Sequence, residues 1–139
     1  MLSKKTKYAF HALSYLGKKT DRNPVLISEV AKKTGVPKKF LESILLDLRK
    51  AGVLNSKMGK GGGYYLLKDA KEVLLSDVIR MFNGPIALLP CASLNYYEPC
   101  PECSSEVACG LNRMMVEVRD ETLKILENKS LQDMINAEN

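Results

Sequence analysis

Two amphipathic segments meet at Gly35-Val36-Pro37, and this junction constrains the fold more than any other stretch of the chain. Upstream lies "EVAKKT", for which Ser28 is a good N-cap and which Gly35 ends by accepting a left-handed conformation that other residues resist. Pro37 fits the first turn of the next helix. That helix is predicted to run to about Ala51 and to end at Gly52. It carries Leu41, Ile44, Leu45 and Leu48 on one stripe and Lys38, Lys39, Glu42 and Ser43 early on the other side. A helix, a short turn containing glycine and a second helix make a helix-turn-helix, whose second helix enters the DNA major groove by its N-terminal residues.

The next residues fit the same architecture. "VLNSK" and "YYLLK" are short β-compatible runs joined by "MGKGGG", a hairpin with a flexible tip, which is the wing of a winged helix. Lys57 and Lys60 at the tip are placed to reach an adjacent groove or the phosphate backbone. Gly61, Gly62 and Gly63 let the backbone approach phosphates closely. "GKGGG" lacks the order of a nucleotide-binding loop and opens no helix. Tyr64 and Tyr65 read as strand packing. Ahead of the junction, Tyr8, Ala9, Ala12, Leu13 and Leu16 recur at three- and four-residue steps from Ser3 to about Lys19, as an amphipathic helix requires. His11, the single histidine, is expected to be a packed or half-exposed helix residue without chemistry.

Charge divides the 139-residue chain. Through Lys71 there are sixteen Lys or Arg against five Asp or Glu, whereas from Glu72 onward there are five against eleven. A compact basic half suits a polyanion, because each neutralised phosphate releases condensed counterions. No apolar run approaches the roughly 20 residues of a membrane helix, so no membrane partner is expected. "MLSKKTKYAF" is not followed by an apolar stretch or cleavage site, which predicts a cytoplasmic, reducing location. One histidine cannot support a Ser/His/Asp or Cys/His arrangement, and no paired carboxylates stand out, so an enzyme is not expected.

The acidic half reads as an arm. Ser76 is predicted to cap "DVIRMFNG", Pro85 to Cys103 is a loop with four prolines, and a helix of more than twenty residues is predicted from about Ser104 or Ser105. Leu111, Met115, Val118, Thr122 and Ile125 step by four and three along it, with Met114 and Leu126 alongside. Such a stripe needs cover, either from a second copy of the chain or from the winged domain itself. All four cysteines fall just before it: Cys91, Cys100, Cys103 and Cys109, spaced C-x8-C-x2-C-x5-C. In a reducing compartment such a cluster points to metal or redox chemistry rather than a disulfide framework. An iron-sulfur cluster, a zinc site and metal-free thiols that pair on oxidation all accept this set.

The runs "KTKYAFHAL", "ISEVAKKTGVPKKFLESILLDLRKAGVLNSKMGKGGGYYL" and "LSDVIRMFNGP" resemble the Rrf-type bacterial transcription regulators, the family of IscR, NsrR and CymR. The resemblance implies a mainly α fold with a small β-wing. Residues 1–84 would form a winged helix-turn-helix DNA-binding domain, and residues 85–139 the cysteine-bearing loop and a long dimerisation helix. It further implies a homodimer on a two-fold symmetric double-stranded operator, expected to repress transcription. By the same resemblance Glu42 matches a base-reading glutamate, and Lys39, Phe40 and Ser43 match its neighbours. Met58 stands where the family often has an arginine that enters the minor groove. The loop implies an iron-sulfur cluster, with zinc the lesser expectation. Cys91, Cys103 and Cys109 match the family's three loop ligands, while Asn112 replaces a histidine ligand, so that Cys100 is expected to supply the fourth. The alternative from another class is a metal-binding or redox adaptor that works through a protein partner.

Overall fold

In the computed structural model, which describes residues 1–138, six helices and one hairpin follow one another as α1 (Lys4–Gly17), α2 (Ile27–Thr34), α3 (Lys38–Lys50), β1 (Leu54–Lys57), β2 (Gly63–Leu66), α4 (Leu75–Asn83), α5 (Gly110–Leu126) and α6 (Leu131–Ala137). A single 3-10 turn, Pro90–Ala92, interrupts the loop before α5. None of the described helices is long and apolar enough to cross a membrane.

Helix α1 starts where Ser3 caps it, its Oγ accepting the Thr6 N–H at 3.1 Å. It buries Ala9, Ala12, Leu13 and Leu16 against α3, whose Leu41, Ile44, Leu45 and Leu48 are fully buried. Each such leucine contributes about 1.5–3 kcal/mol relative to exposure. Between α2 and α3, Gly35 adopts φ +76° and its N–H closes onto the Ala31 carbonyl. His11 is exposed rather than packed.

The expected cap at Ser28 is not made. Leu26 is the N-cap, with no side-chain hydrogen bond, and Ser28 lies inside α2. The Leu26 carbonyl already accepts the N–H groups of Glu29 and Val30 at 3.0 and 3.1 Å, so the first turn closes without a hydroxyl.

Strands β1 and β2 pair antiparallel from Leu54↔Leu66 to Lys57↔Gly63. Val25, in the loop after α1, adds a bridge on the far side of β2. It exchanges two backbone hydrogen bonds with Tyr64, at 2.8 and 2.9 Å, which ties the wing to the helical core.

The second half departs from expectation at three helix ends. Ser76 does not cap α4: Leu74 is its N-cap and Ser76 is buried, its Oγ without a hydrogen-bond partner among the described residues. The Leu75 N–H donates instead to the Lys129 carbonyl at 3.0 Å. Helix α5 begins at Gly110, after the expected start at Ser104 or Ser105, because Cys109 is its N-cap; it spans 17 residues rather than more than twenty. Beyond it the chain turns back. Ser130 and Asp133 form a reciprocal capping box that opens α6, which inserts Leu131 and Ile135 into the core against Gly17 of α1. The far end of α5 is therefore anchored to the winged domain.

Candidate functional site

The exposed face of α3 and the wing enclose an open groove of about 480 Å3, bordered by Lys38, Glu42, Arg49, Lys57 and Met58. Lys38, Lys39, Phe40, Glu42 and Ser43 are all exposed at the start of α3, because its apolar stripe faces the opposite way. Pro37 caps α3 without a side-chain bond, leaving the positive end of the helix open to an anion. Lys38, Lys39, Glu42, Lys57 and Lys60 take part in no ion pair among the described residues. Phe40 stacks on Tyr8 with ring centroids 5.6 Å apart, which steadies the first turn.

Two contributors were missed from the sequence. Lys5 of α1 donates to the Ser43 hydroxyl at 3.2 Å and lies 3.7 Å from Asp47, so it adds a cation to the same face. Arg49, three turns along α3, borders the groove from its far end. The spacing of Arg49 from Glu42, seven residues along one helix, was the available signal.

At the wing tip Met58 is 92% exposed beside Lys57. The glycines there have reasons within the fold. A Cβ on Gly62, which is buried, would stand 2.2 Å from the Lys57 carbonyl oxygen; one on Gly63 would stand 2.2 Å from that of Val25. Gly61, at φ +76°, has open space around it.

The four cysteines, all reduced and half-buried, line one cavity of about 370 Å3 together with Glu98, Glu102, Glu106 and Asn112. No Lys, Arg or His borders it, so ionised thiols there would be balanced only by a bound cation. The Cys109 Sγ accepts the Asn112 backbone N–H at 3.4 Å, and the Asn112 side-chain amide donates to the Cys91 carbonyl at 3.3 Å and to its Sγ at 3.4 Å. Seven residues along α5, Arg119 donates to the Ala92 carbonyl at 2.8 Å. Cys100 donates to Glu102 at 3.2 Å, and this hydrogen bond raises its thiol pKa. Tyr97 donates to Glu106, which pushes its phenol up to about 12. Among the described residues no three His, Cys, Asp or Glu side chains stand close enough to share a metal ion, so ligation requires the loop to draw its sulfurs inward. The donor set itself, soft sulfurs with amide donors aimed at two of them, fits a thiolate-held metal.

Of the α5 stripe, Leu111, Val118 and Ile125 are exposed and Met115 is half-buried; Leu123 is the one residue of α5 that is buried. Met114, Val118, Thr122 and Ile125 line an open apolar groove along the outer face. The winged domain of the same chain does not cover this face.

Comparison with known proteins agrees with this arrangement. Residues 2–137 match the Rrf2 family, described as an iron-dependent transcriptional regulator. An rrf2-like HTH-type transcriptional regulator of Rhodobacter capsulatus is 44% identical over 142 residues, covering 100% of this chain and 95% of that protein. The HTH-type transcriptional regulator IscR of Photorhabdus laumondii is 26% identical, covering 97% of this chain and 79% of its own. Among solved structures, CymR (YrzC), the global cysteine regulator of B. subtilis, superposes with a TM-score of 0.79 at 23% identity, over 99% of this chain and 97% of CymR.

Proposed function

The chain belongs to the Rrf2 family of transcriptional regulators and is not an enzyme, and we propose that it acts in the cytoplasm as a homodimer that reads a two-fold symmetric DNA operator and senses iron-sulfur or redox status through its cysteine loop. The observation that carries this reading is the position of the four-cysteine cavity. It sits at the N-terminus of α5, and one of its thiols, Cys109, is the cap of that helix.

Glu42 and Ser43 are the base-reading candidates on α3, with Phe40 holding the first turn in place. Lys38, Lys39, Lys57, Lys60 and the helix end supply phosphate contacts, and Gly61 and Gly62 form the turn that carries the wing to them. Leu111, Met115, Val118 and Ile125 pair with their copies in a partner, which doubles the DNA contacts and places the two α3 helices about one turn of DNA apart.

Cys91, Cys100, Cys103 and Cys109 would hold the cluster. Bound there, it would supply a thiolate-ligated iron centre that changes redox state and is lost to oxidants. Drawing the thiols inward reorders the loop between α4 and α5. Because α5 is anchored at its other end by α6, such a shift changes how the winged domain sits on the dimer helix. Regulation follows only if the ligated loop favours one such arrangement over another.

Anaerobic purification with absorption spectroscopy and analysis of iron, sulfide and zinc tests the cofactor. Visible charge-transfer bands with matching iron and sulfide support the cluster, whereas stoichiometric zinc replaces it with a structural metal. For the DNA face, Glu42→Ala should alter preference within an operator library, while Lys60→Ala weakens binding to all sequences and lowers the salt slope by about 1.

A further inference from the structure

We infer that Asn112 is a positioning residue for the cysteine site, holding the sulfurs of Cys91 and Cys109 from one point in the first turn of α5. The inference rests on the reading of the cavity as a thiolate site. Cys91 and Cys109 stand at the two ends of the loop, eighteen residues apart, yet each sulfur lies 3.4 Å from a nitrogen of the same asparagine, the backbone N for Cys109 and Nδ2 for Cys91. The side-chain amide also donates to the Cys91 carbonyl at 3.3 Å, which fixes the backbone of the 3-10 turn as well as its thiol. Arg119, two turns further along α5, secures that same turn through the Ala92 carbonyl.

An amide does not ionise and is a poor ligand for a soft metal, but its N–H groups are suited to sulfur that carries negative charge. Hydrogen bonds from this position orient the thiolates and disperse their charge, which is the role that outer hydrogen-bond partners play around metal ligands. Asn112 also turns the first part of α5 into the frame of the site. The helix cannot rotate about its axis without moving Cys91 relative to Cys109.

The test uses the reduced full-length protein, prepared without metal under anaerobic conditions and titrated with Co(II), whose thiolate charge-transfer absorption reports sulfur ligation. Asn112→Asp keeps the size of the side chain and suits the first turn of a helix, but replaces the donor with an acceptor. Asn112→Ala removes both. Both variants should bind Co(II) about 10- to 100-fold more weakly than the parent, as loss of an outer hydrogen-bond partner does, with reduced charge-transfer intensity and unchanged helicity. Equal affinity and intensity in parent and variants overturn the inference while leaving the metal site standing. If the parent itself shows no thiolate-Co(II) absorption, the metal reading fails, and the positioning role is decided by N-ethylmaleimide labelling of Cys91 relative to Cys103, read by peptide mass spectrometry. Several-fold slower labelling of Cys91 in Asn112→Asp supports it, because a carboxylate then faces the sulfur; an unchanged ratio overturns it.

Discussion

Gly63 and Gly61 lie two residues apart in the wing, and replacing each by alanine separates two roles that a glycine can have. At Gly63, φ is +141°, and an added Cβ would stand 2.2 Å from the Val25 carbonyl oxygen and 2.4 Å from its carbon. Backbone cannot yield to that contact as a side-chain tip can, so β2 has to part from Val25. The cost combines a backbone conformation that L-residues avoid, about 1–3 kcal/mol, with two lost backbone hydrogen bonds, about 0.5–1.5 kcal/mol each. Gly63→Ala should therefore lower stability by about 2–6 kcal/mol, a large share of the 5–15 kcal/mol typical of a domain. Gly61, at φ +76° with nothing within 4 Å, meets only the left-handed penalty of about 1–2 kcal/mol. Urea unfolding followed by circular dichroism measures both. A Gly63→Ala variant as stable as Gly61→Ala, or as stable as the parent, would refute the steric argument for how the wing is fixed.

Three further perturbations address the helical half. Leu131→Ala removes a fully buried side chain that anchors α6 and should cost about 2–5 kcal/mol in thermal or chemical unfolding. The Asp133 carboxyl is held below its usual pKa by its hydrogen bonds to Ser130, backbone first. Its contribution is thus fully present above pH 3.8 and lost as the pH falls through the lower folded value, so Asp133→Asn should flatten the acid limb of a stability-pH curve and leave its slope near neutrality unchanged. Met115→Glu or Val118→Glu places a charge in the proposed dimer seam and should yield a monomer by sedimentation, since burial of an unpaired charge is among the costliest changes; an intact dimer in both variants counts against the stripe as the interface.

The helix-turn-helix was legible because its signals are local. Gly35 needs a left-handed backbone, and the Leu41, Ile44, Leu45 and Leu48 stripe has one period and one burial direction. Helix starts were misplaced where the partner is distant or unconventional. Leu75 finds its acceptor at Lys129, more than fifty residues away, so Ser76 is not needed as a cap and is buried instead. Cys109 takes the capping role that Ser104 and Ser105 were expected to fill, through a sulfur that sequence rules do not count among caps. Helix α6 went unnoticed although Ser130 and Asp133 carry the spacing of a capping box; seven residues are too few for periodicity to register. The spacing of the cysteines indicated thiolate chemistry, but that all four line one cavity, and that Asn112 joins its two ends, depends on how the loop folds back over α5.

The central claim is that the state of the cysteine site changes DNA binding. It is tested most directly by titrating an operator, at fixed salt, with the anaerobically purified protein and with the same preparation after chelation and thiol oxidation. The account predicts that affinity differs between the two by about 5- to 150-fold, the usual range of coupling between distinct sites, and that the difference disappears when Cys109 is replaced by alanine. Equal affinity in both states, with operator specificity intact, would contradict it.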